Sequence, residues 1–157
     1  MIESLALIFK LNNGLIARSL DGLSDEDVWQ RPAGSGNPIG WLVGHLTETR
    51  GHLLKEIGAP FDPGWGGLFS RGSALGGPAD YPSRAAIETA WKATHNRMRE
   101  AFAALTPERL AGPPSRHVFQ GVKTLADEIA GFAFHESYHV GQIGYIRKQL
   151  GHSSIAG

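Results

Sequence analysis

The chain has 157 residues, 41% of them hydrophobic and 19% charged, with 15 basic and 15 acidic side chains in balance. This is the composition of a globular domain with a substantial core rather than of a disordered chain, and without a Lys/Arg cluster it offers no electrostatic footprint for nucleic acid. The sequence contains no cysteine, which excludes disulfides, thiolate metal sites and cysteine nucleophiles, so any metal must be held by His, Asp or Glu.

The opening Met1-Ile2-Glu3-Ser4 lacks the basic region of a signal peptide, and no apolar run reaches the roughly 20 residues needed to span a membrane. The expectation is a cytoplasmic protein, a single domain over residues 1–157, with no membrane partner.

From about Ile2 to Leu20, Leu5, Ile8, Phe9, Asn12, Leu15, Ile16 and Leu20 recur at helical spacing and make one stripe. Ser24-Asp25-Glu26-Asp27 has the pattern of a capping box opening a short acidic turn through Trp29. Pro32, Gly34 and Gly36 mark a loop. Asn37-Pro38 then signals a helix start, with Asn as the cap and Pro in the first turn. Trp41, Leu42, His45, Leu46, Thr49, His52, Leu53 and Ile57 keep the period until Gly58 and Pro60 stop it. His45 sits in the middle of this stripe and is expected to face the interior.

Between Gly58 and Pro82 lies a long glycine- and proline-rich segment without periodicity. Such a loop reads either as a functional lid or as a flexible surface insertion. Phe61, Trp65, Leu68, Phe69 and Tyr81 favour one that packs over something, because a solvated linker does not need so many rings. Ser83 caps a third long helix to about Leu105, striped by Ile87, Trp91, Thr94, His95, Met98 and Phe102. Thr106-Pro107 opens a short turn. Thr124-Leu125-Ala126-Asp127 is a second capping box, and the last helix runs from there to Leu150, ended by Gly151. Gly131, Gly141 and Gly144 weaken that helix and hint at close approach of a neighbouring segment or of a second copy. Four long helices, each with one apolar stripe, no strand pattern and no repeat predict an all-α fold of the four-helix-bundle kind.

The last helix carries the most distinctive stretch, Phe132 to Ile143. His135 and His139 lie one turn apart on one face, a spacing that suits two imidazoles on one divalent metal. It suits equally two core histidines bonded to backbone or hydroxyl groups. Phe132, Phe134, Val140, Ile143 and Ile146 around them predict a buried segment.

His135-Glu136-Ser137-Tyr138-His139 is a literal match to the zinc-protease pattern H-E-x-x-H. The extension that metal-dependent proteases use is missing: Gln142 and Tyr145 stand where Gly and His are required, and no acidic residue follows Val140. The third ligand must come from upstream, and His45 is the best placed. His52, two turns on and roughly 10 Å away by helical rise, suits the rim of such a site. His95 reads as a core histidine, His117 as exposed, and His152 as a cation at a helix end. Glu136 and Tyr138 are candidates for proton transfer, but they are one position off a ligand and point about 100° away from it, which favours packing and supporting roles. Gln142 is placed to orient a ligand or a bound water.

The run Asn37-Pro38-Ile39-Gly40-Trp41-Leu42-Val43-Gly44-His45-Leu46, followed by His135 to Ile143 and preceded by Leu23 to Pro32, resembles the DinB-like superfamily. The resemblance covers essentially the whole chain. It implies an antiparallel four-helix bundle with unusual connectivity, often dimeric. It also implies a divalent metal, zinc or nickel in most members, held by three histidines that correspond here to His45, His135 and His139. Members include bacillithiol- and mycothiol-dependent transferases and a thiol-dependent isomerase. The long segment from Gly58 to Pro82, between the second and third long helices, departs from the family's simpler pattern.

The resemblance further implies a metal-dependent enzyme of the thiol S-transferase or hydrolase type. It would act on a small molecule, with a low-molecular-weight thiol as co-substrate, as a homodimer. The alternative is a non-catalytic, metal-stabilised binding or stress-response module. No residue is singled out as catalytic.

Overall fold

The computed structural model describes residues 2–32 and 36–155, so Gly34 of the expected loop lies outside the described residues. Among the described residues there are six α-helices, one short 3-10 helix (Pro78–Asp80) and no strand: α1 (Ile2–Leu20), α2 (Asp25–Trp29), α3 (Ile39–Glu56), α4 (Arg84–Ala103), α5 (Pro107–Ala111) and α6 (Leu125–Gln149). None is long and apolar enough to cross a membrane.

Local chemistry sets most of the helix ends. Ser24 and Asp27 close a capping box on α2, and Thr124 and Asp127 close another on α6. Ser83 caps α4 by accepting from the Ala86 N–H. Caps of this kind contribute about 1 kcal/mol each. Gly58 takes a φ of 80° after α3, and the Ala59 N–H bonds back to the Leu54 carbonyl at 2.8 Å. Gly151 does the same after α6 with a φ of 84°, closing the orphan carbonyls of the last turn. One start differs from expectation. Pro38, not Asn37, occupies the α3 cap position and no side chain caps it. The ladder begins at the Pro38 carbonyl, which accepts from Leu42 at 3.0 Å, so Asn37 falls one residue outside and lines a cavity instead.

The four long helices contact one another in the order α1–α6–α3–α4, with α4 returning to α1, around two clusters of buried apolar residues. Neighbours do not all run antiparallel. Asn12 meets Ser137 and the Ser19 carbonyl meets Arg147, so α1 and α6 run in the same direction. Trp41 and Val43 share a cluster with Ile87 and Trp91, while Leu53 and Leu54 share one with Met98 and Phe102, so α3 and α4 are also parallel. Across these pairs the sense reverses, with Phe9 against Phe102 and Trp41 clustered with Val140 and Ile146.

Two parallel neighbours cannot be joined by a tight turn. The chain leaving α3 must travel back along the helix, about 27 Å for 18 residues at 1.5 Å each, before α4 can start. That is the physical reason for the long segment between them. It is packed rather than loose. Phe69 is fully buried, Tyr81 stacks between Phe69 and Trp29, and Arg31 donates to the Leu75 and Gly76 carbonyls.

Phe69 occupies space that only glycine leaves open: a Cβ on Gly44 would stand 2.5 Å from its ring. Gly131 likewise admits Phe119, and Gly144 faces Ile155 at 3.0 Å, whereas Gly141 meets nothing. Two apolar expectations fail. Ile8 is 37% and Phe134 72% exposed, because α1 and α6 bury the faces carrying Phe9, Asn12 and Ile16 and carrying Phe132, Glu136 and Ile143, about 100° per residue away.

The two glycines give opposite predictions for alanine in urea denaturation. At Gly44 the clash costs about 1–3 kcal/mol of overpacking, more than the roughly 1 kcal/mol of helix propensity gained. Gly44→Ala is therefore expected to destabilise, and Gly141→Ala to stabilise by up to about 1 kcal/mol. Equal effects at both positions would refute the packing of Phe69 on Gly44.

Candidate metal centre

His45 projects from the middle of α3 with Trp41, one turn earlier, stacked on its ring at 5.2 Å and 10°. His135 and His139 project from α6 on one face, as their spacing requires. The antiparallel crossing of α3 and α6 brings the three together. His135 Nε2 lies 3.3 Å from His45 Nε2 and 3.1 Å from His139 Nε2. The three ligand-capable nitrogens all fall within 4.8 Å of one another, and they form a histidine group that could hold a metal ion.

The geometry suits a metal. With metal–nitrogen bonds of about 2.0–2.1 Å, neighbouring ligands stand about 3.3–3.4 Å apart in a tetrahedron and about 2.8–3.0 Å in an octahedron. The hydrogen bonding agrees. His45 Nδ1 donates to the Phe69 carbonyl at 2.8 Å, and His139 Nδ1 donates to Gln142 Oε1 at 2.6 Å. With the proton on Nδ1, each neutral ring carries a lone pair on Nε2. Both lone pairs face His135 Nε2, which has at most one hydrogen to offer. A cation between the three nitrogens satisfies them all.

Burial acts in the same sense. It lowers the pKa of all three rings, most strongly for His135, which falls from 6.5 to about 4, with His139 and His45 adding to the effect. The Gln142 hydrogen bond partly opposes the shift at His139. The downward shifts favour the neutral rings, the form that ligates metals.

The segment between α3 and α4 supports the site from outside. The Phe69 carbonyl that orients His45 belongs to a stretch whose backbone at Phe69 and Gly67 acts on the buried Glu48 carboxylate. Burial raises the pKa of Glu48 and these backbone groups oppose it. On the open side, a cavity of about 920 Å³ reaches the three rings, with Trp41, Phe132 and Tyr138 among its walls.

Glu136, the acid of the H-E-x-x-H match, is turned away from this cavity. Its carboxylate is 2% exposed and binds Arg50 twice, at 2.7 and 2.9 Å. A carboxylate committed to a buried guanidinium is not the general base that a zinc protease needs. The other histidines separate as their positions suggest. His52 and His117 are exposed on the cavity wall, His95 is half-buried against a different cavity, and His152 pairs with Asp27 at 3.4 Å. Gln142 orients His139 directly, and its Nε2 donates to Tyr138 Oη at 3.3 Å.

Two supporting groups escape a reading by motif, the Phe69 carbonyl and Arg50. Arg50 did leave a signal: it sits at i+4 from Leu46 and i−3 from Leu53, a charge on an apolar stripe. The Phe69 carbonyl left none.

The profile of the DinB superfamily matches residues 9–143. The chain belongs to the DinB superfamily. The matched span holds all three clustered histidines, the whole of α3 and most of α6. No curated protein matches the chain significantly. In this DinB-superfamily chain the H-E-x-x-H string is therefore two members of the histidine cluster with a structural acid between them.

If Glu136 is structural, Glu136→Ala leaves Arg50 buried without its counter-ion and is expected to cost about 3–5 kcal/mol. Chemical denaturation measures this directly. A variant as stable as the parent would return Glu136 to the list of candidate bases.

Proposed function

We propose that this chain is a divalent-metal-dependent enzyme of the thiol S-transferase or hydrolase type. In this reading His45, His135 and His139 hold zinc or nickel. A small-molecule substrate and a low-molecular-weight thiol meet in the cavity before them. The observation that carries the proposal is the convergence of three neutral Nε2 atoms on the wall of an open cavity of about 920 Å³. Three protein ligands with solvent access are the pattern of catalytic rather than structural sites. A non-catalytic, metal-stabilised module is the alternative, and it would sooner enclose its metal.

The chemistry a bound divalent metal supplies is a lowered pKa for a water or thiol on its open positions, which makes a nucleophile near neutral pH. The chain's own residues do the rest. Gln142 and the Phe69 carbonyl hold His139 and His45 in the tautomer that ligates. Tyr138, whose Oη accepts from Gln142 at 3.3 Å, keeps its own O–H for a molecule in the cavity. Trp41 and Phe132 provide an apolar wall.

The same reading takes residues 1–157 as a single cytoplasmic domain and the four long helices as the bundle of the DinB-like type. It takes the protein as a homodimer. Phe134, Tyr145, Leu11 and Leu7 are 72%, 65%, 57% and 52% exposed on the neighbouring helices α6 and α1, an apolar face of the kind that a second copy covers. Light scattering at the mass of one chain would refute the dimer.

The metal reading is tested by elemental analysis of protein prepared with zinc or nickel. One ion per chain is expected, with affinity reduced at least roughly tenfold in His45→Ala and unchanged in His95→Ala. Failure to retain an ion, or equal retention by parent and His45→Ala, would rule out the three-histidine site.

A further inference from the structure

The cavity in front of the histidines has a one-sided charge that the composition of the chain does not require. Acidic and basic residues are equal in number over the whole sequence, yet none of the described residues lining this cavity is Asp or Glu. Its charged lining is Arg71 and Arg116, joined by His52 and His117 on the wall. The two arginines come from separate places, Arg71 from the segment between α3 and α4 and Arg116 from the connection between α5 and α6. The two longest connections among the described residues thus each contribute one arginine to the lining of the same cavity.

Elsewhere the chain neutralises many of its arginines. Arg50, Arg84, Arg97 and Arg109 each pair with a glutamate, and Arg147 is held by the Ser19 and Asp21 carbonyls. Arg71 and Arg116 are exposed and have no acidic partner among the described residues. Beside them, the pKa of His52 is lowered first by partial desolvation and then by the Arg116 and Lys55 charges. A guanidinium presents N–H donors in a planar fork that matches carboxylate and phosphate oxygens, and a cleft lined by one sign of charge gathers ligands of the other.

We propose that the ligand of this cavity carries an oxyanion, a carboxylate or a phosphate, gripped at the mouth by Arg71 and Arg116 while its reacting end lies at the three histidines. The proposal rests on reading the cavity as the substrate site and narrows the substrate class to anionic molecules. An uncharged thiol or an uncharged substrate leaves both arginines without a partner.

Calorimetric titration of the zinc-loaded protein with 2-mercaptosuccinate and with uncharged 2-mercaptoethanol tests it. The dianionic thiol is expected to bind at least roughly tenfold more tightly, an advantage that shrinks as salt rises. The double variant Arg71→Ala/Arg116→Ala is expected to lose that advantage while binding 2-mercaptoethanol as the parent does, which also shows that it is folded. Equal affinity for the two thiols, or an advantage that survives in the double variant, overturns the proposal.

A second arm uses metal-free protein with succinate and with inorganic phosphate. Arginine-dependent binding of either upholds the anion site, and the tighter of the two names the group. Protein that binds these anions through the arginines but no thiol after zinc treatment would sink the metal reading and leave the anion site standing. Protein that binds both thiols alike would do the reverse.

Discussion

The buried pair of Arg50 and Glu136 is the contact on which the rest of the architecture depends. Its side chains are 1% and 2% exposed and meet in a two-pronged bond. Charges taken out of water are stable only with their partners in good geometry. A slip of α3 along α6 would break that geometry, so the pair sets the register between them. Arg50 reaches further still. Its guanidinium lies 3.6 Å from the Trp91 ring centroid on α4 and donates to the Phe9 carbonyl on α1 at 3.4 Å. One side chain therefore touches all four long helices.

The histidine cluster inherits its precision from that register. His45 and Arg50 are little more than a turn apart on α3, and His135 and Glu136 are adjacent on α6. The helix crossing that seats the ion pair also brings the three Nε2 atoms together. The ion pair and the cluster divide the two sides of α6 between them: Glu136 turns into the core, while His135 and His139 turn to the cavity. The acid in the H-E-x-x-H string thus serves the fold, and the two histidines serve the site.

The long connection from α3 to α4 has a double role. Parallel neighbours oblige the chain to run back along the helix, and the return path here is laid over the outer side of the cluster. Gly44 lets Phe69 close onto α3, and the carbonyl of that buried residue then sets the tautomer of His45. A topological necessity has become part of the site. The same segment brings Arg71 into the cavity lining, so the geometry of the histidine cluster and the charge of the cavity both depend on how it packs.

Much of this was legible from local pattern. Capping boxes at Ser24 and Thr124, the glycine stops at Gly58 and Gly151, and the histidine pair at i and i+4 are interactions between residues a few positions apart, which the order of residues determines without help from the fold. The block around His45 and the one around His135 also carried the family. Other features were out of reach. The Arg50–Glu136 bond joins residues 86 apart and the His45 bond to the Phe69 carbonyl joins residues 24 apart; neither follows from periodicity, and a backbone carbonyl has no letter in the sequence. Helix direction and the exposure of Ile8 and Phe134 depend on which neighbours each helix meets. By itself the sequence determined the helices, most of their ends and the ligand-capable side chains, because those are short-range chemistry. Their meeting at one point, beside a cavity with no acidic residue among its described lining, was decided only by the tertiary packing, because it requires one register among four helices and one path for the chain between two of them.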